Sequence, residues 1–141
     1  MAALYLSLGT NLGDRQSNLA TAISLIGERV GTVQAKSSVI ETEPWGFESS
    51  NRFLNMVIKV ETSMQPLEVL HITQEIERQL GRSRKSVDGE YHDRLIDIDI
   101  LLYDNLVMDT PELKIPHPLM YQRRFVTEPL AEIAPDLIKD N

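Results

Sequence analysis

Residues 94–102 read RLIDIDILL, an apolar run broken at alternate positions by Asp97 and Asp99. Side chains alternate along a strand, so both aspartates share a face with Leu95 and Leu101. Ile96, Ile98, Ile100 and Leu102 are expected on the other face. A sheet built on this strand must pack one side against apolar elements. Its other side must accommodate two carboxylates about 7 Å apart at the backbone.

The rest of the chain supplies the packing elements. Residues 3–8 (ALYLSL) predict a short strand, followed by a turn at GTNLGD. From about Asp14, Leu19, Ala22, Ile23 and Ile26 recur at helical spacing, and Gly27 and Gly31 bracket the end. A strand is expected over about 32–42 and a loop over EPWGFESSN. FLNMVIKVET then alternates, with Leu54, Met56, Ile58 and Val60 on one face and Phe53, Asn55, Val57 and Lys59 on the other. Pro66 suits the first turn of a helix and Gly81 its end, with Val69, Leu70, Thr73, Ile76 and Leu80 at helical spacing between them. The polar loop RSRKSVDGEYHD leads into the aspartate strand. A turn at Asp104-Asn105, a short returning strand at LVM, a helical turn after Pro118 and a short helix over about 127–133 complete the chain. This order predicts an α+β fold, a ferredoxin-like βαββαβ sheet with both helices on one face plus extra C-terminal elements, in one domain spanning 1–141. The first and last of the four strands are expected at its centre. The second sheet face is left for extra elements or a ligand.

Two carboxylates at that spacing repel each other, so a positive group should sit between them. Arginines forming salt bridges or a hard metal ion would serve. Mg²⁺ fits best, because it takes oxygen ligands, uses one or two carboxylates and completes its shell with water and phosphate oxygens. Arg82, Arg84, Lys85 and Arg94 lead directly into the acidic strand. Cations beside a carboxylate–metal pair are what a polyphosphate needs. No G-x-x-x-x-G-K-[ST] motif is present, so any nucleotide is held by another scheme. Phe53 and Asn55 share a strand face, where one could stack on a flat heterocycle and the other read its edge; a strand phenylalanine is otherwise ordinary core. Phe125 has the same two readings, and Trp45 is a lid residue or an apolar plug. His71 reads as surface. His117, between two prolines and upstream of Arg123, is a candidate phosphate donor. No histidine pair has zinc-ligand spacing.

The net charge of −7 argues against a nucleic-acid or anionic-membrane partner. Five cations (Arg78, Arg82, Arg84, Lys85 and Arg94) nevertheless cluster, and Arg123 pairs with Arg124. Charge alone favours a solvated loop; together with the aspartates it suggests a small anionic ligand. There is no cysteine, no run of the roughly 20 apolar residues that a membrane helix needs and no signal-peptide pattern. A cytoplasmic location and a monomer are expected.

Five stretches, SLGTNLGDR, ETEPWGFESSNRFLNMV, EIERQLGRSRK, DRLIDIDILLYD and IPHPLMYQRRFVTEPLAEIAPDL, taken in this order and spacing, closely resemble 6-hydroxymethyl-7,8-dihydropterin pyrophosphokinases of folate biosynthesis. The resemblance implies transfer of a pyrophosphoryl group from ATP, the co-substrate, to the pterin hydroxymethyl group, with release of AMP. It assigns two Mg²⁺ ions to Asp97 and Asp99. It places Arg82, Arg84, Arg94, His117 and Arg123 on the phosphates, and Leu70, Gln74 and Glu77 on the nucleotide side, with Ile100 against adenine. The pterin would lie between Phe53 and Phe125, with Asn55 at its edge. Backbone groups near Gly9, Thr42 and Trp45 would complete the pocket, and Asp97 would orient the hydroxyl. The catalytic set implied is Arg84, Arg94, Asp97 and Asp99.

This sequence departs from the family pattern where a Gly-Pro-like pair usually precedes the strand arginine; here stand His92 and Asp93, after Glu90 and Tyr91. Many members also continue beyond IAPDLIKDN, a difference expected to touch packing more than chemistry. Two other readings use the same fold. A non-catalytic small-molecule-binding domain explains Phe53 and Asn55 but not the aspartates. An RNA-binding domain predicts exposed aromatics on the central strands.

Overall fold

A computed structural model describes residues 1–43, 52–81 and 95–138. The sheet has the order β2-β4-β1-β5, formed by Thr32–Lys36, Phe53–Thr62, Ala2–Thr10 and Asp97–Tyr103. The short strand β3, Ile40–Thr42, also pairs with β4, and every pairing is antiparallel. With helices α1, Arg15–Arg29, and α2, Pro66–Gly81, this is the expected ferredoxin-like arrangement. The central strands differ from expectation: they are β1 and β4, and the aspartate strand β5 is an edge. Both crossovers skip one strand position, so the third strand enters between the first and second. The expected strand over 32–42 is interrupted at 37–39, where Ser37 bonds Val57.

Local chemistry fixes the helices. The Asp14 carboxylate caps α1 by accepting from the Ser17 N–H at 3.1 Å. At the start of α2, Pro66 fills the first helical position and Glu68 accepts from the Gln65 N–H at 2.9 Å. Leu19, Ala22 and Ile26 of α1 and Val69 and Ile76 of α2 pack with Leu4, Leu6 and Leu8 of β1 and Leu54, Met56, Ile58 and Val60 of β4. Ile96, Ile98 and Ile100 join this cluster, so the isoleucine face of β5 lies under the helices. Each of the larger side chains among them contributes roughly 1.5–3 kcal/mol by leaving water. Gly31 permits the close return of α1 to β4: a Cβ there would lie 2.1 Å from the Glu61 carbonyl oxygen.

Leu102 does not follow the isoleucines. Tyr5 pairs with Leu102 but Leu6 pairs with Ile100, so Leu101 is an extra residue in a bulge. The bulge turns Leu102 to the opposite face, where it packs with Val57, Leu101, Met120, Val126 and Leu130. These last residues come from a 3-10 turn, Met120–Gln122, and from α3, Arg124–Ile133, which begins earlier than the expected 127. Tyr5 packs against this second cluster, so β1 presents no exposed aromatic of the kind an RNA-binding sheet requires. The residues around LVM form β6, Met108–Asp109, which pairs with β7, Lys114–Ile115, instead of returning to the main sheet.

Candidate active site

α3 covers only part of its sheet face. On the rest, strand register sets out two rows of residues. Asn55 of β4 pairs with Gly9 of β1, and Gly9 pairs with Asp97 of β5. One step along, Val57 pairs with Ser7, and Ser7 with Asp99. At ordinary strand spacing, Asn55 and Asp97 are about 10 Å apart, with a residue lacking a side chain between them. A Cβ on Gly9 would lie 3.0 Å from the Asn55 Oδ1 and 3.5 Å from the Phe53 ring. The glycine therefore lets the buried Asn55 amide and the half-buried Phe53 ring lie close over β1, and the row reads as a shallow slot running from them to the two carboxylates.

Each wall has its own support. The Asn55 Nδ2 donates to the Thr42 Oγ1 at 2.6 Å, which fixes the amide plane and turns Oδ1 over Gly9. The Arg123 Nη1 stands 4.0 Å from the Asp99 Oδ2, and its guanidinium carbon lies 5.4 Å from the Phe125 ring centroid. One buried cation thus lies beside both Asp99 and the Phe125 ring. The His117 Nδ1 accepts from the Leu119 N–H at 3.2 Å, so Nε2 carries the proton in the neutral ring. Burial, and then the charge of Arg123, push His117 below its ordinary value of 6.5, against the opposing pull of Asp97. The ring is neutral at pH 7 and presents Nε2–H as a donor.

The nucleotide-side residues from the sequence are less uniform. Leu70, Gln74 and Glu77 lie on one face of α2 at spacings of four and three. Leu70 packs against the helix-side core, Gln74 is exposed, and the Glu77 Oε2 accepts from the Ile98 N–H at 2.7 Å. The Ile100 side chain is buried in the helix-side core, so it cannot line a ligand on the aspartate face. Ile98 directs its N–H away from β1, and Ile100, two residues on, directs its backbone groups to the same edge. Any contact from Ile100 is through that backbone. Trp45, Arg82, Arg84 and Arg94, and the departures at 90–93, lie outside the described residues.

Ser7 was not singled out from the sequence. It is buried beside Asp99 in the second row, and only the pairing of β1 with β5 reveals its position. Among the described residues, no group of three or more histidine, aspartate or glutamate side chains could hold a metal ion. The pair Asp97 and Asp99 is an oxygen-only donor set. It fits Mg²⁺, which takes one or two carboxylates and fills its remaining positions with water and phosphate oxygens. Among the described residues, no helix is long and apolar enough to cross a membrane.

Residues 5–135 match the model of the 7,8-dihydro-6-hydroxymethylpterin-pyrophosphokinase family. A 2-amino-4-hydroxy-6-hydroxymethyldihydropteridine pyrophosphokinase of Porphyromonas gingivalis is 54% identical over 136 residues, covering 96% of this chain and 92% of the relative. The enzyme of the same name from Bacillus subtilis is 43% identical over 137 residues, covering 96% of this chain and 80% of the relative. A crystal structure described as HPPK-DHPS in complex with substrates shares the fold, with a TM-score of 0.74 at 18% identity over 96% of this chain and 40% of the other. The chain belongs to the 7,8-dihydro-6-hydroxymethylpterin-pyrophosphokinase family.

Proposed function

We propose that the protein transfers the terminal pyrophosphoryl group of ATP to the hydroxymethyl group of 6-hydroxymethyl-7,8-dihydropterin, releasing AMP, as a transferase of folate biosynthesis. The observation that carries this reading is the row Asn55–Gly9–Asp97, a slot for a flat ring that ends at a carboxylate pair. Family membership supports the same reaction.

The pterin ring is assigned to the slot between Phe53 and Phe125, over Gly9. There the Asn55 Oδ1 accepts from an N–H on the ring edge, and Thr42 holds the amide. Trp45 is assigned to the same pocket by the resemblance. In this pose the hydroxymethyl group points along the row toward Asp97, which orients the hydroxyl by accepting its hydrogen bond. The hydroxyl oxygen bonds to the β-phosphorus, and the bond from that phosphorus to the oxygen bridging the α-phosphate breaks. AMP leaves with the electron pair, and the hydroxyl proton is released.

His117 donates Nε2–H to a phosphate oxygen, and Arg123 supplies positive charge beside it. Arg82, Arg84 and Arg94 are assigned to the triphosphate, with Arg84 and Arg94 acting on charge that develops in the transition state. The α2 face bearing Leu70, Gln74 and Glu77 and the backbone edge at Ile100 are assigned to the nucleoside. Asp97 and Asp99 would hold two Mg²⁺ ions. When bound, Mg²⁺ neutralises phosphate oxygens and fixes them for in-line displacement. No separate strong base is required, because phosphoryl transfer depends mainly on positioning and charge. The protein is taken to act as a cytoplasmic monomer on two small molecules, with neither nucleic acid nor a membrane as partner.

The test is product analysis with ATP, Mg²⁺ and the hydroxymethyl pterin. AMP that depends on both pterin and Mg²⁺ is the expected product. ADP would overturn the reaction type. Pterin binding without nucleotide turnover would favour the non-catalytic binding domain.

A further inference from the structure

Phe125 and Glu132 lie on α3 seven residues apart, within about 20° of two full turns, so both leave the helix on one face. Phe125, beside Arg123, is the ring assigned to the second wall of the slot. Both oxygens of Glu132 are bonded: Oε1 accepts from the Ser38 N–H at 2.8 Å and Oε2 from the Ser38 hydroxyl at 2.6 Å. These two bonds hold the Glu132 carboxyl below the usual carboxylate range.

Ser38 sits in the connection between β2 and β3. Its neighbour Ser37 is tied to the sheet, with its N–H donating to the Val57 carbonyl and its Oγ accepting from the Val57 N–H, each at 2.9 Å. From this anchored connection β3 runs to Thr42, whose hydroxyl holds Asn55. The contact between Glu132 and Ser38 therefore joins the two walls of the slot, α3 with Phe125 and β3 with Thr42. Pro129 lies between Phe125 and Glu132 and has no N–H to give to the Phe125 carbonyl. The helix lacks one of its own ties near Phe125, and an external tie at Glu132 becomes more consequential.

We propose that Glu132 and Ser38 form a positioning pair that sets the width of the pterin slot, and so governs affinity for the pterin but not for ATP. The proposal rests on the slot being the pterin site. Both side chains are on the surface, so their variants are expected to fold. Dissociation constants for the hydroxymethyl pterin and for ATP would be measured by fluorescence titration for Ser38→Ala, Glu132→Ala, the double variant and Ser38→Thr. Pterin affinity should fall about tenfold in each of the first two and no further in the double variant, since a small displacement is felt strongly in a fitted site. ATP affinity should stay within about twofold, and Ser38→Thr, which keeps the N–H and the hydroxyl, should bind pterin like the parent. Unchanged pterin affinity, equal losses for pterin and ATP, or additive losses in the double variant would each overturn the pair. Phe125→Ala separates this failure from that of the site itself. Lost pterin affinity there, with intact binding in the other variants, removes the positioning pair alone. Unchanged affinity in Phe125→Ala removes the slot assignment and the pair with it.

Discussion

The two faces of the sheet share the same strands and do different work. The face under α1 and α2 is apolar along β1, β4 and β5, from Leu4 to Leu8, Leu54 to Val60 and Ile96 to Ile100. The opposite face is divided. At one end α3 covers Val57, Leu101 and Leu102. At the other end lie Asn55, Gly9, Asp97 and Asp99, which fill no core. Residues chosen for packing are interchangeable with others of similar volume. Residues placed where packing gains nothing are the ones the proposed ligands would use. The comparison makes separable claims: changes on one face should cost stability, and changes on the other should cost chemistry.

The largest effect should come from the carboxylates. Asp97→Ala and Asp99→Ala are each expected to lower AMP formation about a thousandfold, since the site loses charge that positions the phosphates. Thermal unfolding should change less in Asp97→Ala than in Asp99→Ala, which takes a carboxylate from beside the buried Arg123 guanidinium. Parent-level turnover in either variant would break the assignment. The matching change on the other face is Leu6→Ala. Leu6 is fully buried, so about 2–5 kcal/mol of stability should be lost in denaturant titrations. Turnover per folded molecule should persist. If Leu6→Ala instead abolished activity in a folded protein, the division of labour between the faces would fail.

Gly9→Ala tests the slot with a single methyl group. Its new carbon would press on the Asn55 Oδ1 at 3.0 Å, so the amide must shift and the space over β1 narrows. Pterin KM should rise about tenfold, with ATP KM and stability little altered. A rise in both KM values would show that Gly9 serves the sheet and not the slot.

How much of this was legible depends on how local the signal is. The α1 and α2 faces, the cap at Asp14, Pro66 and the alternation of β4 are set by near neighbours, and they could be read directly. The aspartate pair was legible because period-two alternation makes two buried-strand carboxylates conspicuous. The slot was not. It depends on Gly9 lying between Asn55 and Asp97, a relation created by strand register across 42 to 88 residues of chain. The position of β5 at the edge differs from the expected central one, because strand order follows from crossovers and not from hydrophobicity. Leu102 lies on the face opposite to the one its alternation predicts, because a one-residue bulge reverses alternation without leaving a mark in the pattern. Ile100 could be matched to a family role, but only the fold shows that its side chain points away from the site.

Arg123 and Arg124 give the smallest effect and the sharpest contrast. In the sequence they form one basic pair. In the structure the Arg123 side chain is 10% exposed and reaches Asp99, whereas that of Arg124 is 89% exposed and pairs with Glu128 one helical turn away. An exposed i,i+4 pair contributes about 0.5 kcal/mol or less and is weakened by salt. Arg124→Ala should therefore change unfolding midpoints only slightly, and less at high salt, while leaving kcat and both KM values unaltered. A clear loss of ATP affinity in this variant would mean that the open face extends past the start of α3, because Arg124 would then reach the triphosphate. Parent-like kinetics would leave Arg123 as the member of this pair that serves the anion site, which adjacency of charges in the sequence could not distinguish from its exposed neighbour.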